Sequence, residues 1–165
     1  MALTAESITR TALDVLSRYG LGDLSMRRLA RELDVQPSAL YWHVKDKQSL
    51  LILISRSLKA EVDALCPPTA DPLAAAMSLR EVLLKYRDGA EIVLLGYSIA
   101  PSDVTPQALA ADRLGAELSH GILTLTLGAV AVEQNRRLFD VDSADAAENF
   151  AANASLLLRT SWSQH

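Results

Sequence analysis

The stretch Leu24–Lys47 constrains the fold of this chain most, because it is typical of two short helices joined by a tight turn. Ser25 is a suitable N-cap for a first helix whose apolar positions recur at helical spacing. Pro37 marks the beginning of a second helix, predicted over residues 37–44, since proline is tolerated only in the first helical turn. Asp34 is expected in the turn between them, because aspartate enters the left-handed backbone region more readily than most residues.

The two predicted helices separate buried from exposed side chains in a way that suits DNA recognition. Arg27, Arg28 and Arg31 point away from the core in the first helix, and Leu40 and Val44 are buried by the second. The remaining side chains of the second helix are left outside: Gln36, Pro37, Ser38, Ala39, Tyr41, Trp42 and His43. A short helix led by small or hydrogen-bonding residues fits the major groove of DNA.

The segments on either side of this pair complete an N-terminal unit. Upstream, residues 4–19 predict a supporting helix that ends at glycines. Downstream, Asp46 can cap a long helix predicted over residues 47–65, and Lys45 and Lys47 flank that cap. A cationic side chain and free backbone N–H groups at a helix start favour a phosphate contact.

These segments resemble the tetracycline-repressor (TetR) family of bacterial transcription regulators. The resemblance is carried by Ser25–Ala30, by Leu40–Lys47 and by the trailing Leu50–Leu51. Within these segments, Tyr41–Lys45 is closest to the founding member of the family. Tyr86–Ala90 is a second island of similarity, and Leu125–Val130 is a weaker third. The resemblance is specific over residues 4–60 and patchy beyond them, where the chain is shortened and divergent.

The resemblance implies site residues position by position. One group stands where the family contacts base edges: Arg27, Gln36, Pro37, Ser38 and Ala39. A second group stands where the family contacts the DNA backbone or packs beside it: Ser25, Tyr41, Trp42, His43 and Lys47. Arg28, on the cationic face of the first helix, is also predicted to bind DNA. Pro37 replaces a base-reading glutamine of the founding member, so a different operator is expected.

Charge is unevenly distributed along the chain. The net charge of −4 over 165 residues argues at first against a nucleic-acid partner. Residues 1–59, however, hold nine Lys and Arg against six Asp and Glu, whereas residues 60–165 hold seven against fourteen. The basic surface therefore belongs to the predicted DNA-binding part. The chain shows no signal segment or membrane-spanning run, and its single cysteine, Cys66, fits a reducing compartment, so a cytoplasmic protein is expected.

The rest of the chain predicts further helices and hence an all-α fold. We expect a three-helix DNA-binding domain over residues 1–46 and a helical effector-binding and dimerisation domain over residues 47–165. Helices are predicted from Asp71 to Tyr86, from 90 to 96, from 105 towards 118, from 121 to 137 and from 144 to 162. The helix over 121–137 competes with a strand, because Leu and Thr alternate there, but no second convincing strand exists to pair with it.

The last predicted helix carries an apolar stripe: Ala147, Phe150, Ala151, Ala154, Leu157 and Leu158. The stripe is interpreted as half of a four-helix dimer interface, and the alternative is that it closes the core of one monomer. Gly128 and Ala129 in the preceding helix allow close approach by a neighbour.

The resemblance also implies an effector pocket, with apolar lining suited to a hydrophobic small molecule. The predicted lining residues are Leu79, Leu83, Tyr86, Leu94, Tyr97 and Leu123. A filled core is the alternative. No metal or cofactor is expected, because residues 91–95 lack the magnesium-coordinating histidine of the founding member. Arg87 and Asp88 are interpreted as a cap or an interdomain link, and the resemblance implies that this junction transmits effector binding.

Together these features predict a homodimeric DNA-binding regulator, a repressor released from a palindromic operator by an effector. The chain has no HExxH pair, CxxC motif or phosphate-binding loop, so an enzyme is not expected. Two alternatives remain open. Tyr41 and Trp42 could anchor a protein partner without sequence-specific DNA binding, or His120 could serve an enzyme with a nearby acid.

Overall fold

The protein, seen in a computed structural model, is described over residues 3–162, with side chains up to residue 159. This part of the chain consists of ten α-helices, two 3₁₀ turns and connecting loops, which confirms the predicted all-α fold. The α-helices are α1 (Ala5–Tyr19), α2 (Met26–Glu32), α3 (Pro37–Tyr41), α4 (Lys47–Leu65), α5 (Pro72–Leu84), α6 (Gly89–Ile99), α7 (Pro101–Val104), α8 (Ala111–Leu114), α9 (Ala116–Leu138) and α10 (Ala146–Trp162). Residues 1–2 and 163–165 of the predicted domains lie outside the described residues.

Helices α1 to α3 form a small unit whose core is completed by α4. Thr4 begins α1 with a capping box, because its side chain accepts from the Ser7 N–H while the Ser7 hydroxyl accepts from the Thr4 N–H. Ile8 of α1, Leu29 of α2 and Leu50 of α4 are fully buried in one continuous core. The N-terminal unit is therefore anchored to the rest of the chain by α4.

The other half of α4 packs against α6, α5 and α7. At the α4–α6 crossing, the Ser55 hydroxyl donates to the Ile92 carbonyl at 3.1 Å. A Cβ atom on Gly96 would lie 2.4 Å from the Ser55 Oγ atom, so only glycine lets the two helices approach this closely. Helix α4 is thus in tight contact with both the N-terminal unit and the C-terminal helices.

The helix predicted from residue 105 towards 118 is wrong. The segment instead forms a 3₁₀ turn (Gln107–Leu109), the short α8 and a break at Gly115, whose φ is +84°. This path buries Ala108 and Leu109 completely, and the Ser119 hydroxyl donates to the Leu109 carbonyl at 2.7 Å. A continuous helix would not return the chain to the core at that point.

Residues 121–137 are helical, as predicted, within the longer helix α9. The apolar stripe of α10 serves the monomer core, with Phe150 and Ala154 buried and Leu157 and Leu158 half-buried. The part of the stripe formed by Phe150 and Ala154 therefore closes the core of the monomer, as the alternative interpretation expects. In contrast, Gly128 of α9 is exposed, and a Cβ atom there would meet no atom within 4 Å.

A buried ionic network joins α5 to α9. Arg80 binds Glu133, and the second Glu133 oxygen accepts from Arg137 at 2.7 Å. The side chains of Arg80 and Glu133 are only 9% and 5% exposed. The Nε atom of Arg80 has no hydrogen-bond partner among the described residues, so the buried guanidinium is incompletely compensated.

Among residues 3–162, no helix combines the length and apolar composition that crossing a membrane would require.

Candidate nucleic-acid interface

The turn between α2 and α3 has the geometry that the sequence predicts. The Ser25 hydroxyl accepts from the Arg28 N–H at 3.2 Å and caps α2. Asp34 has φ of +53°, in the left-handed region, and the following Val35 N–H donates to the Ala30 carbonyl at 2.9 Å. The chain therefore turns from α2 into α3 within the four residues 33–36.

Helix α3 is short and anchored from one side. It ends at Tyr41 rather than at residue 44, because the chain tightens there into a turn in which the His43 N–H donates to the Leu40 carbonyl at 2.9 Å. Leu40 and Val44 are buried, whereas Trp42 is 89% exposed. The predicted contact residues lie around this anchor on the open side, exposed except for the half-buried Ala39: Gln36, Pro37, Ser38, Ala39, Tyr41, Trp42 and His43.

The start of α4 lies after α3 and forms a second part of the candidate interface. The Asp46 carboxylate accepts from the Ser49 N–H at 2.7 Å, and this hydrogen bond lowers the pKa of Asp46 below its ordinary value of 3.8. Lys45 and Lys47 on either side of the cap are exposed. Two ammonium groups at a helix N-terminus present positive charge to solvent, as a phosphate contact requires.

The three arginines of α2 differ in their surroundings. Arg27 and Arg31 are exposed and have no ion-pair partner among the described residues. The Arg28 side chain is only 19% exposed, with its Nε atom 2.9 Å from the Glu32 Oε1 atom. Its guanidinium carbon lies 4.1 Å from the centroid of the Tyr19 ring. The sequence predicts one cationic face, but the structure engages its middle arginine within the protein.

The junction between α5 and α6 contacts the N-terminal unit directly. Asp88 directly precedes α6 and lies in the left-handed region, with φ of +57°, and its side chain does not cap that helix. Instead its Oδ2 atom accepts from the Leu21 N–H at 2.8 Å. Behind the junction, Gln134 of α9 donates to the carbonyls of Tyr86 and Leu83 at 2.8 and 3.2 Å. The interdomain link predicted for Arg87 and Asp88 is confirmed for Asp88.

Sequence comparisons identify relatives of this chain. Residues 8–54 match the model of the bacterial regulatory proteins of the tetR family. The class A tetracycline repressor from transposon 1721 of Escherichia coli is 36% identical over 146 residues, which cover 80% of this chain and 68% of that protein. The chain belongs to the TetR family. The class C repressor of Escherichia coli is 35% identical over 135 residues, which cover 62% of its length. The chain therefore spans about two thirds of these curated TetR-family relatives.

Solved structures of TetR-family proteins are similar over nearly the whole chain. BioQ of Mycobacterium smegmatis shares 29% identity with a TM-score of 0.82, covering 99% of this chain and 100% of that one. BioQ with its natural double-stranded DNA operator has a TM-score of 0.79 at 28% identity, over 99% of this chain and 100% of that one. The Streptomyces coelicolor protein ActR, in complex with (S)-DNPA, has a TM-score of 0.77 at 25% identity and full coverage of both chains.

The predicted effector-lining residues have different environments. Leu79, Leu83 and Leu123 are buried in the core, whereas Leu94 is 47% exposed. The Tyr97 hydroxyl lies 2.8 Å from the His120 Nδ1 atom. The structure therefore gathers three of the six in the core and places the others nearer the surface.

Tyr86, the sixth predicted lining residue, lies at the boundary with the N-terminal unit. Its hydroxyl donates to the Glu61 Oε2 atom at 3.1 Å, and burial together with the Glu61 charge raises the pKa of Tyr86. It borders a cleft of about 560 Å³ shared with α1 and α4, and another of about 310 Å³ beside Arg87 and Asp88.

Sequence reasoning missed the Tyr19–Arg28 contact and the role of Gln134. The ion pair between Arg28 and Glu32 could have been predicted, because residues four positions apart face each other on a helix. The contact of Arg28 with Tyr19 and the hydrogen bonds of Gln134 each join two different helices, and no local sequence pattern predicts how those helices pack.

Proposed function

We propose that this protein is a homodimeric transcriptional repressor that binds a palindromic operator through α3 and is released by a small-molecule effector. The observation that carries the proposal is the open side of α3, led by Gln36, Pro37 and Ser38 and held from behind by buried Leu40 and Val44. A rigid helix with an exposed N-terminal end can place polar groups against base edges. The proposed division is a DNA-binding domain of residues 1–46 and an effector and dimerisation domain of residues 47–165.

The relatives support this reading. The curated relatives are named as tetracycline repressors, and one similar structure contains operator DNA. Both the names of these relatives and the operator complex are consistent with a regulator and not with an enzyme. The basic charge of residues 1–59 agrees with a DNA partner, since contacts to phosphate supply much of the affinity for DNA.

The open face of α9 supports the homodimer. Gly128 has open space in front of it, Val132 is 54% exposed, and Leu156 of α10 is 57% exposed. A groove of about 480 Å³ lies between the two helices. A twofold partner placing its own α9 and α10 here would form a four-helix bundle. Two α3 helices would then reach half-sites about 34 Å apart.

The Asp88 junction supports control by an effector. A ligand that moves α6 would act on the Leu21 N–H through Asp88, and so on the unit that carries α3. The similar ActR structure holds a small molecule. We propose a hydrophobic effector that binds between α5, α6 and α9 by displacing the buried side chains of Leu79, Leu83 and Leu123. This effector would bind without a metal ion.

Selection of bound duplexes from a random DNA pool tests the proposal, with sedimentation measuring the assembly in solution. We expect a twofold-symmetric winning sequence and a dimer that Val132→Arg dissociates without unfolding the monomer. Leu65→Arg, which adds the same single positive charge at an exposed apolar position at the end of α4, is the matched control. An absence of any preferred duplex, together with capture of a protein partner through Trp42, would favour the interaction-module alternative instead.

A further inference from the structure

We infer that Arg28 is a positioning residue for operator recognition and not a contact to DNA, an inference that rests on the proposed function. Its guanidinium carbon stacks 4.1 Å from the Tyr19 ring centroid, and its Nε atom donates to Glu32 at 2.9 Å. Arg28 therefore makes two contacts to other protein side chains, one to Tyr19 at the end of α1 and one to Glu32 within α2. The neighbouring Arg27 and Arg31 are open to solvent.

The contacts around Tyr19 form a small cluster that fixes the crossing of α1 and α2. Arg18 lies on the Tyr19 ring as well, 5.2 Å from its centroid, and its NH2 atom is 3.7 Å from the Glu32 Oε2 atom. Arg18 also binds Asp14 of its own helix. Glu32 thus receives one arginine from each helix, and both arginines also lie against the Tyr19 ring. Cation–π and charge-assisted contacts of this kind favour one crossing angle over others.

The position of α2 determines what the recognition surface can reach. Helix α2 carries Arg27 and packs through its buried Leu29 and Ala30, and the turn at Asp34 leads directly into α3. A rotation of α2 on α1 would therefore move Arg27 and Gln36 together. Base-specific hydrogen bonds require these side chains to be placed accurately, whereas attraction to phosphates persists when they shift. Loss of the cluster should reduce specificity more than general affinity for DNA.

Arg28→Met and Arg31→Met provide a matched pair for the test, because each removes one positive charge from α2 and only the first disturbs the cluster. Binding is measured by fluorescence anisotropy, with the selected operator and with a random duplex of equal length, over a salt series. For Arg28→Met we expect about a tenfold greater loss of operator affinity than for Arg31→Met. The two variants should match on random DNA and in the dependence of log affinity on log salt.

Tyr19 variants separate positioning from charge. Tyr19→Leu changes no charge and should reproduce the operator-specific loss of Arg28→Met, while Tyr19→Phe keeps the aromatic face and should retain wild-type binding. In an Arg27→Ala background, Arg28→Met should change the operator-to-random affinity ratio much less than it does in the wild type. Circular dichroism confirms folding, and the Tyr19 pair decides the question if Arg28→Met fails to fold.

A direct phosphate contact predicts a different set of results. The salt slope of Arg28→Met would then fall by about 0.9 relative to Arg31→Met, and Tyr19→Leu would leave operator affinity unchanged. Either result would overturn the inference while the proposed function stands. A wild-type protein that prefers no duplex at all would overturn the proposed function, and the inference with it.

Discussion

The Asp88 carboxylate accepts a hydrogen bond from the Leu21 N–H at 2.8 Å and so joins the first residue before α6 to the turn that follows α1. The two residues are 67 positions apart in the chain. Asp88 has φ of +57°, so its backbone accepts a left-handed conformation while its side chain reaches the N-terminal unit. This contact gives the α5–α6 junction a direct connection to the unit that carries α3.

We expect Asp88→Gly to destabilise the protein by about 1 kcal/mol, because it removes the acceptor of the Leu21 N–H while relieving the positive φ. Asp88→Asn is the matched control, since asparagine keeps an acceptor and tolerates the left-handed region. Urea unfolding at fixed protein concentration measures both. Equal losses for the two variants would mean that the charge, and not the hydrogen bond, stabilises the junction.

Gly20→Ala should lower the free energy of unfolding by about 1 to 3 kcal/mol, which is more than Asp88→Gly, because backbone strain and steric crowding add. Gly20 has φ of +82°, and a Cβ atom there would lie 2.7 Å from the Asp88 Oδ2 atom. Gly22→Ala, two residues on, meets no atom within 4 Å and should be neutral or slightly stabilising. Thermal melts of the two variants make the comparison, and similar melting temperatures for both would contradict the proposed crowding.

Glu133→Gln should destabilise the protein strongly, by about 3 to 5 kcal/mol, because it leaves the buried Arg80 guanidinium without a counter-charge. The double variant Arg80→Met and Glu133→Leu removes both buried charges and should be close to neutral by comparison. Arg137 also loses its ion pair with Glu133 in the double variant, but its side chain is 53% exposed and remains solvated. Denaturant midpoints measured at one protein concentration compare the single and the double variant. A double variant as unstable as Glu133→Gln would show that the ion pair itself stabilises the fold.

The sequence predicted most reliably those features that a single local interaction determines. The N-caps at Ser25, Asp46 and Asp71 each accept a backbone N–H where a helix begins, and Asp34 turns the chain as predicted. Each depends on residues within a few positions. Local signals of this kind are sufficient to place the two helices of the recognition motif.

Contacts between segments that are distant in the chain could not be predicted from local sequence patterns. Thr105 and Pro106 carry a valid local signal for a helix start, yet burial of Leu109 in the tertiary core overrides it. Helical periodicity predicts that Arg28 lies on the exposed side of α2, but it does not predict the contact between Arg28 and the Tyr19 ring on a neighbouring helix. Periodicity predicts the face of a helix, and packing decides which of its side chains are available.

The cap of α4 should make part of the stability dependent on acid. Hydrogen bonding from the Ser49 N–H lowers the pKa of Asp46 in the folded protein, so its contribution is complete above the ordinary value of 3.8 and is lost as the pH falls through the lowered value. Asp46→Asn retains a capping side chain that does not titrate. The difference in Tm between wild type and Asp46→Asn should therefore shift in favour of the variant between pH 6 and pH 3. A constant difference over that range would contradict the cap titration.

Arg27 and Lys47 are predicted to serve recognition in different ways. Arg27 is exposed on α2 beside the turn, and Lys47 is exposed at the start of α4. If Arg27 contacts a base edge, Arg27→Ala should reduce discrimination at one operator position by about 1 to 3 kcal/mol. Lys47→Ala should weaken all duplexes alike and lower the salt slope by about 1, because a phosphate contact releases a counterion whatever the sequence.

Titrations of operator variants and random duplexes over a salt series distinguish the two roles. Lys85→Ala is the control for Lys47→Ala, since it removes one positive charge from a lysine that is 52% exposed and lies after α5, outside the candidate interface. A uniform loss for Arg27→Ala across all sequences would reassign it to the DNA backbone. A loss confined to one base position for Lys47→Ala would reassign that lysine to base recognition, because phosphates carry no sequence information of their own.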